Sequence, residues 1–228
     1  MSKKEIIDKW LQSDAVCFDV DSTVCQDEAI DELAEFMDKG EIIREFTATA
    51  MNGNLNFGES LHKRMGIIQV TKRKLEEFIQ KHPVRLTPGI SELVSRLRHR
   101  GVEVFLVSGG FREVINPVAS QLNIPEDHVF ANRIIFDSSG NYSDFDRSEP
   151  TSDSGDKSKG KPRVCGLLKE RFGYKCLTMV GDGYTDYEAC PPADLFIGFG
   201  GNQVRERVKA ASQWYVMDFR ELIDTLKQ

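Results

Sequence analysis

The sequence predicts an α/β fold: a parallel, Rossmann-like sheet core with an inserted helical cap. Three observations predict it. Short apolar runs alternate with amphipathic segments, the pattern of strands joined by helices. Residues 27–81 interrupt that alternation with helical periodicity and no convincing strand. Unusual polar residues fall just beyond the apolar runs, not within them.

The elements follow in chain order. Ile6, Ile7, Trp10 and Leu11 share one face of a first helix, and Ala15 to Asp19 is a compact strand. Three helical patterns come next: Ile30, Leu33, Ala34 and Met37, then Ile42, Ile43 and Phe46, then Leu75, Phe78 and Ile79. Placed directly after the first strand, they read as a cap of residues 27–81 inserted into a core of residues 1–26 and 82–228. Thr87 as N-cap, with Pro88 at the first helical position, opens a helix bearing Ile90, Leu93, Val94 and Leu97. Gly101 ends it, and Val102 to Val107 is a second buried strand. Ile115, Val118, Ala119 and Leu122 mark another helix, in which Pro117 predicts a kink or a late start. Val129 to Phe136 and Tyr142 to Phe145, joined through Ser138-Ser139-Gly140-Asn141, read as a hairpin. Cys176 to Val180 and Leu195 to Phe199 are further strands, and Phe219, Leu222, Ile223 and Leu226 close the chain as a helix.

Composition narrows the class. With 228 residues, 40% hydrophobic and 29% charged, the chain is globular. A net charge of -6 argues against general affinity for nucleic acid or anionic membranes. No apolar stretch approaches the ~20 residues of a spanning helix, and nothing after Met1 resembles a signal peptide. The five cysteines are odd in number and form no close pair, which predicts reduced thiols and a cytoplasmic protein. The four histidines lack metal-ligand spacing, so any metal is bound by oxygen.

Four polar elements stand at strand or helix ends: Asp19-Val20-Asp21-Ser22-Thr23, Ser108-Gly109-Gly110, Gly181-Asp182-Gly183-Tyr184-Thr185-Asp186, and a lysine-bearing loop before Pro162. Each alone is ordinary cap or turn chemistry. Together they converge, because an open parallel sheet binds ligands beyond the carboxyl ends of its strands. A strand-end carboxylate such as Asp19 is a nucleophile for phosphorus. Phosphate and carboxylate are both anionic, so a cation must lie between them, and Asp19 and Asp182 suit Mg²⁺. Asp21, two residues on, shares the side of Asp19 and can act as general acid and base. Ser108 and the Gly109 N–H form an anion cradle at a helix N-terminus.

These residues resemble the haloacid dehalogenase superfamily and, within it, its phosphoserine-hydrolysing branch. The likeness extends through Leu86-Thr87-Pro88-Gly89-Ile90, Phe130-Ala131-Asn132-Arg133, Glu188 to Asp194 and Gly198-Phe199-Gly200-Gly201-Asn202. It implies a Mg²⁺-dependent hydrolysis of phosphoserine, the last step of serine biosynthesis, through an aspartyl phosphate on Asp19. It implies that the backbone carbonyl of Asp21 joins Asp19 and Asp182 at the metal, with Asp186 behind them. Ser108, Gly109 and Gly110 would hold phosphate beside a lysine. In the cap, Glu28 would meet the substrate ammonium and Arg64 its carboxylate, with Met51 and Phe57 as part of a lid. Thr185 would approach the substrate from the metal loop. A homodimer is compatible with the family; nucleic acid and membrane partners are not expected.

The lysine has three candidates, Lys157, Lys159 and Lys161. Ser154-Gly155-Asp156-Lys157 resembles the family's Ser-Gly-Gly-Lys, whereas Pro162 at a first helical position would put Lys161 at a rigid N-cap, which favours Lys161. Three departures from the family are Asn52, where a glycine is common, Tyr184, where a small residue is common, and a lysine loop longer than usual.

Overall fold

The computed structural model describes residues 1–50, 56–154 and 158–227, with the side chains of 47–50 left aside. Met51, Asn52 and Lys157 therefore lie outside the described residues. The central sheet has six parallel strands in the order β3-β2-β1-β6-β7-β8: β1 Ala15–Phe18, β2 Glu103–Phe111, β3 Val129–Asn132, β6 Leu177–Gly181, β7 Leu195–Phe199 and β8 Trp214–Val216. A separate antiparallel hairpin pairs β4 Ile134–Phe136 with β5 Tyr142–Phe145.

Strand periodicity explains why the sheet is covered twice. On β1, Val16 and Phe18 join one buried cluster, whereas Ala15 and Cys17 join the other. On β2, Val104 and Leu106 face the first cluster, and Phe105 and Val107 the second. Helices α1 Lys3–Leu11, α6 Ile90–His99, α7 Arg112–Gln121 and α11 Arg220–Thr225 bury the first face. Helix α8 Gly160–Phe172 and α10 Glu206–Ala211 cover the second. Each fully buried Leu, Ile or Phe stabilises the fold by about 1.5–3 kcal/mol. Trp10 adds polar specificity, its indole N–H donating to Thr225 Oγ1 at 3.0 Å.

Between β1 and α6 lie α2 Ala29–Phe36, α3 Gly40–Ala50, α4 Phe57–Ile68 and α5 Lys72–Lys81, with no strand among the described residues. Leu33, Ile43, Leu61, Met65, Leu75 and Phe78 form a third buried cluster, separate from the two under the sheet. Ile134, Tyr142 and Phe145 of the hairpin belong to that cluster, so the hairpin packs with these helices.

Several local expectations are corrected. Val129 to Phe136 is not one hairpin strand: Val129–Asn132 pairs with β2, and only Ile134–Phe136 enters the hairpin. Arg133, on the surface and paired with Glu149, marks the break. Thr87 is not a cap, because its hydroxyl donates to the Thr23 carbonyl at 2.6 Å. Gly89, with φ 87, takes the N-cap, and α6 begins at Ile90. Helix α7 starts at Arg112 and contains Pro117, so the proline does not delay it. Strand β8 was not expected, since three residues carry too little pattern.

Candidate active site

The polar residues meet at the carboxyl ends of β1, β2 and β6. Val16, Phe18 and Val20 all reach the same apolar cluster, so the alternation persists past the end of β1 and turns Asp19 and Asp21 the other way. The chain then turns at Ser22, a non-glycine residue at φ 54. Asn202 holds this turn: its amide donates to Thr87 Oγ1 at 2.7 Å and to the carbonyls of Ser22 at 3.1 Å and Cys25 at 3.2 Å.

A cavity of about 630 Å³ opens here, lined by Asp19, Asp21, Glu28, Phe57, Arg64, Gly109, Gly110, Lys161, Asp182 and Thr185. Ser108 and Asp186 are buried behind its wall. The Ser108 hydroxyl accepts from the Gly110 N–H at 2.8 Å and donates to Asp21 Oδ2 at 3.3 Å. The other Asp21 oxygen accepts from the N–H of Ala29, the first residue of α2, at 2.8 Å. Contrary to expectation, Ser108 and Gly109 do not sit at a helix N-terminus, because β2 continues to Phe111. Gly109 lies against Phe57: a Cβ there would overlap the ring and push it aside.

Lys161 is 6% exposed, and its Nζ lies 2.5 Å from both Asp19 Oδ1 and Asp186 Oδ1. Helix α8 is capped by Lys159 and begins at Gly160, so Lys161 stands within the first turn and not at the N-cap expected for it. Lys159 is exposed. Burial opposes the Lys161 charge, yet Asp186 and Asp19 outweigh it and hold its pKa above the ordinary value. Burial raises the Asp19 carboxyl well above the usual range, with Asp186 adding repulsion and Lys161 opposing both. Burial likewise raises Asp21 and Asp186.

Asp182 is 2% exposed. Its Oδ1 accepts from the Thr23 hydroxyl at 3.1 Å, and its Oδ2 from Arg205 Nε at 2.7 Å. Arg205 also donates to Glu28 at 3.0 Å, and Ser22 donates to the same Glu28 oxygen at 2.8 Å. Burial first, then Asp21, pushes the Glu28 carboxyl up to about 7. Arg64 stands in α4 with its Nε buried and without a hydrogen-bond partner among the described residues. Its burial disfavours the charge, against which Asp31, Glu28 and Asp21 act.

A family model for haloacid dehalogenase-like hydrolase matches residues 13–194. The chain belongs to the haloacid dehalogenase-like hydrolases. The phosphoserine phosphatase of Bos taurus is 50% identical over 228 residues, covering 100% of both chains. Among solved structures, DsGPDH of Dunaliella salina matches with TM-score 0.85 and 35% identity, over 99% of this chain and 38% of that one. A substrate-bound phosphoserine phosphatase complex matches with TM-score 0.77 and 28% identity, over 93% of this chain and 97% of that chain.

Arg205 of this hydrolase has no place in the sequence reading, and Thr23 appears there only as part of the Asp19–Thr23 element, although both touch Asp182. A single arginine three residues after Asn202 carries no distinguishing pattern. Tyr184 was noticed only as a departure; Arg207 covers its ring at 3.7 Å beside the cavity.

Proposed function

We propose that this hydrolase splits O-phosphoserine into serine and phosphate through a phosphorylated Asp19. The observation that carries the reading is one cavity holding a buried carboxylate against Lys161 together with Glu28 and an Arg64 whose Nε has no hydrogen-bond partner among the described residues. An amino-acid phosphate needs three recognition points, and these residues supply them. Lys161 and the Gly109 N–H suit phosphate, and Ser108 and the Gly110 N–H can join them once they exchange the bonds they make to Asp21 and to Ser108 Oγ. Arg64 can fork the carboxylate, and Glu28 can pair the ammonium once Arg205 yields it. Phe57, from a cap made of residues 27–81, and Thr185, from the loop after β6, complete the enclosure. The name and full-length identity of the bovine relative support the substrate.

In the first step an Asp19 oxygen attacks phosphorus and the bond to the serine oxygen breaks, while Asp21 gives that oxygen its proton. In the second, Asp21 removes a proton from water, which attacks phosphorus and releases Asp19. The donor set fits Mg²⁺. Carboxylate oxygens of Asp19, Asp182 and Asp186 lie within 4.8 Å of one another, all from buried residues, and Lys161 with Arg205 supplies fewer positive charges than these three carboxylates carry when ionised. Asp19, Asp182 and the Asp21 carbonyl would hold the ion, with Asp182 exchanging Arg205 for it, and Asp186, tied to Lys161 and the Gly183 N–H, would stand behind them. When bound, the ion supplies charge neutralisation between phosphate and Asp19.

Phosphate release from phosphoserine, phosphothreonine and p-nitrophenyl phosphate, with Mg²⁺ and with a chelator, tests the reading. Phosphoserine should have the highest kcat/KM, and chelation should stop turnover. Preference for p-nitrophenyl phosphate, or undiminished turnover with chelator, contradicts it. Arg64→Ala should raise KM for phosphoserine by roughly 2–5 kcal/mol, the scale for truncating one partner of a buried charged pair. It should barely change p-nitrophenyl phosphate, which has no carboxylate; equal losses would make Arg64 structural.

A further inference from the structure

Helix α4, which carries Phe57 and Arg64, begins against the core. Its first N–H groups have no partner inside the helix. Asn56 satisfies one by accepting from the Glu59 N–H at 2.8 Å. The Gly58 N–H instead reaches across to Asp153 Oδ1 at 2.9 Å. A carboxylate is the favoured acceptor there, since the helix N-terminus is its positive end. The same oxygen accepts from the Ser154 N–H at 2.8 Å, which fixes the side chain on its own loop. The approach is close: a Cβ on Gly58 would come within 3.0 Å of both Asp153 Cγ and the Ser152 carbonyl. Asp153 borders the cavity, where its charge would repel a phosphate, and its Oδ1 is already taken by the Gly58 and Ser154 N–H groups.

We propose that Asp153 is a positioning residue, the latch that seats α4 on the core and so places Arg64 over the cavity. The inference rests on Arg64 as the carboxylate clamp. The Asp153 carbonyl packs against Gly160, 3.0 Å from where a Cβ would stand, and this backbone contact survives side-chain substitution. Removing the carboxylate therefore disturbs α4 while leaving Lys161 in place.

Asp153→Ala should lower kcat/KM for phosphoserine roughly tenfold, the scale of one charge-assisted hydrogen bond. Turnover of p-nitrophenyl phosphate should change by less than about twofold, because it does not use Arg64. Asp153→Asn keeps an acceptor oxygen and should recover most of the loss. Hydrogen exchange without substrate should be faster in the first turn of α4 in Asp153→Ala, whatever the substrate proves to be. Failure of the substrate reading would appear separately, as wild-type protein inert toward phosphoserine. Should Asp153→Ala not fold, Gly58→Ala crowds the same contact and should give the same split between substrates. Equal losses on both substrates, an Asn variant no better than Ala, or unchanged exchange in α4 would overturn the latch.

Discussion

Asp19→Asn should abolish phosphate release and end acid-stable phosphate labelling of the protein, while the fold is retained. An amide has nearly the same shape as a carboxylate but is a far weaker nucleophile, so the first step has no substitute. The stability arm is equally specific. Burial and the neighbouring Asp186, Asp182 and Asp21 already oppose a charge at Asp19. Replacing that charge with a neutral amide removes repulsion, and Lys161 keeps Asp186 as partner at 2.5 Å. The melting temperature of the metal-free protein should therefore stay level or rise. Activity above about one per cent of wild type, or about a tenth of wild-type labelling, would make another residue the nucleophile. Asp21→Asn should instead slow both steps, because its side chain acts on protons and only its backbone would meet the ion.

Lys161→Ala should cost roughly 10²–10³-fold in kcat, the scale for removing one preorganised electrostatic contact. Here stability should move the other way. The ammonium is buried between Asp19 and Asp186, and its loss leaves adjacent carboxylates without compensation. Breaking such a buried pair costs about 3–5 kcal/mol, so the metal-free variant should melt lower, with Mg²⁺ restoring part of the difference by replacing positive charge. Lys159→Ala, at an exposed position, should leave both kcat and melting temperature near wild type. If Lys159→Ala were the more damaging variant, the assignment of the active-site lysine would be wrong. Opposite signs of melting shift in Asp19→Asn and Lys161→Ala would separate a site built against stability from a mere structural ion pair.

Much of this site is legible in the chain because its residues fall in short motifs at the ends of regular elements. The alternation that buries Val16, Phe18 and Val20 on one face also sets the direction of Asp19 and Asp21. Lys161 was the preferred lysine because Pro162 marked a helix start, although that start proved to lie at Gly160. The same reasoning failed at Thr87, whose hydroxyl serves the Thr23 carbonyl across 64 positions of chain. Local capping preference competes there with a long-range hydrogen bond, and the long-range bond wins. It also failed at Arg133, where an apolar run was divided between two sheets by pairing partners distant in sequence.

The sequence by itself determined the α/β class, the helical insertion after β1, and the convergence of Asp19, Ser108 and Asp182 on one crevice. Those follow from periodicity and from parallel strands ending at one edge, which are local properties repeated along the chain. Only the tertiary structure decided that Arg205 bridges Asp182 and Glu28, that the β4–β5 hairpin packs with the inserted helices, and that Asp153 meets Gly58. Each is a contact between segments far apart in sequence, and neither Arg205 nor Asp153 differs in type from residues common on any surface. Such a residue acquires a role only when folding brings its partner within hydrogen-bonding distance and takes water away from both.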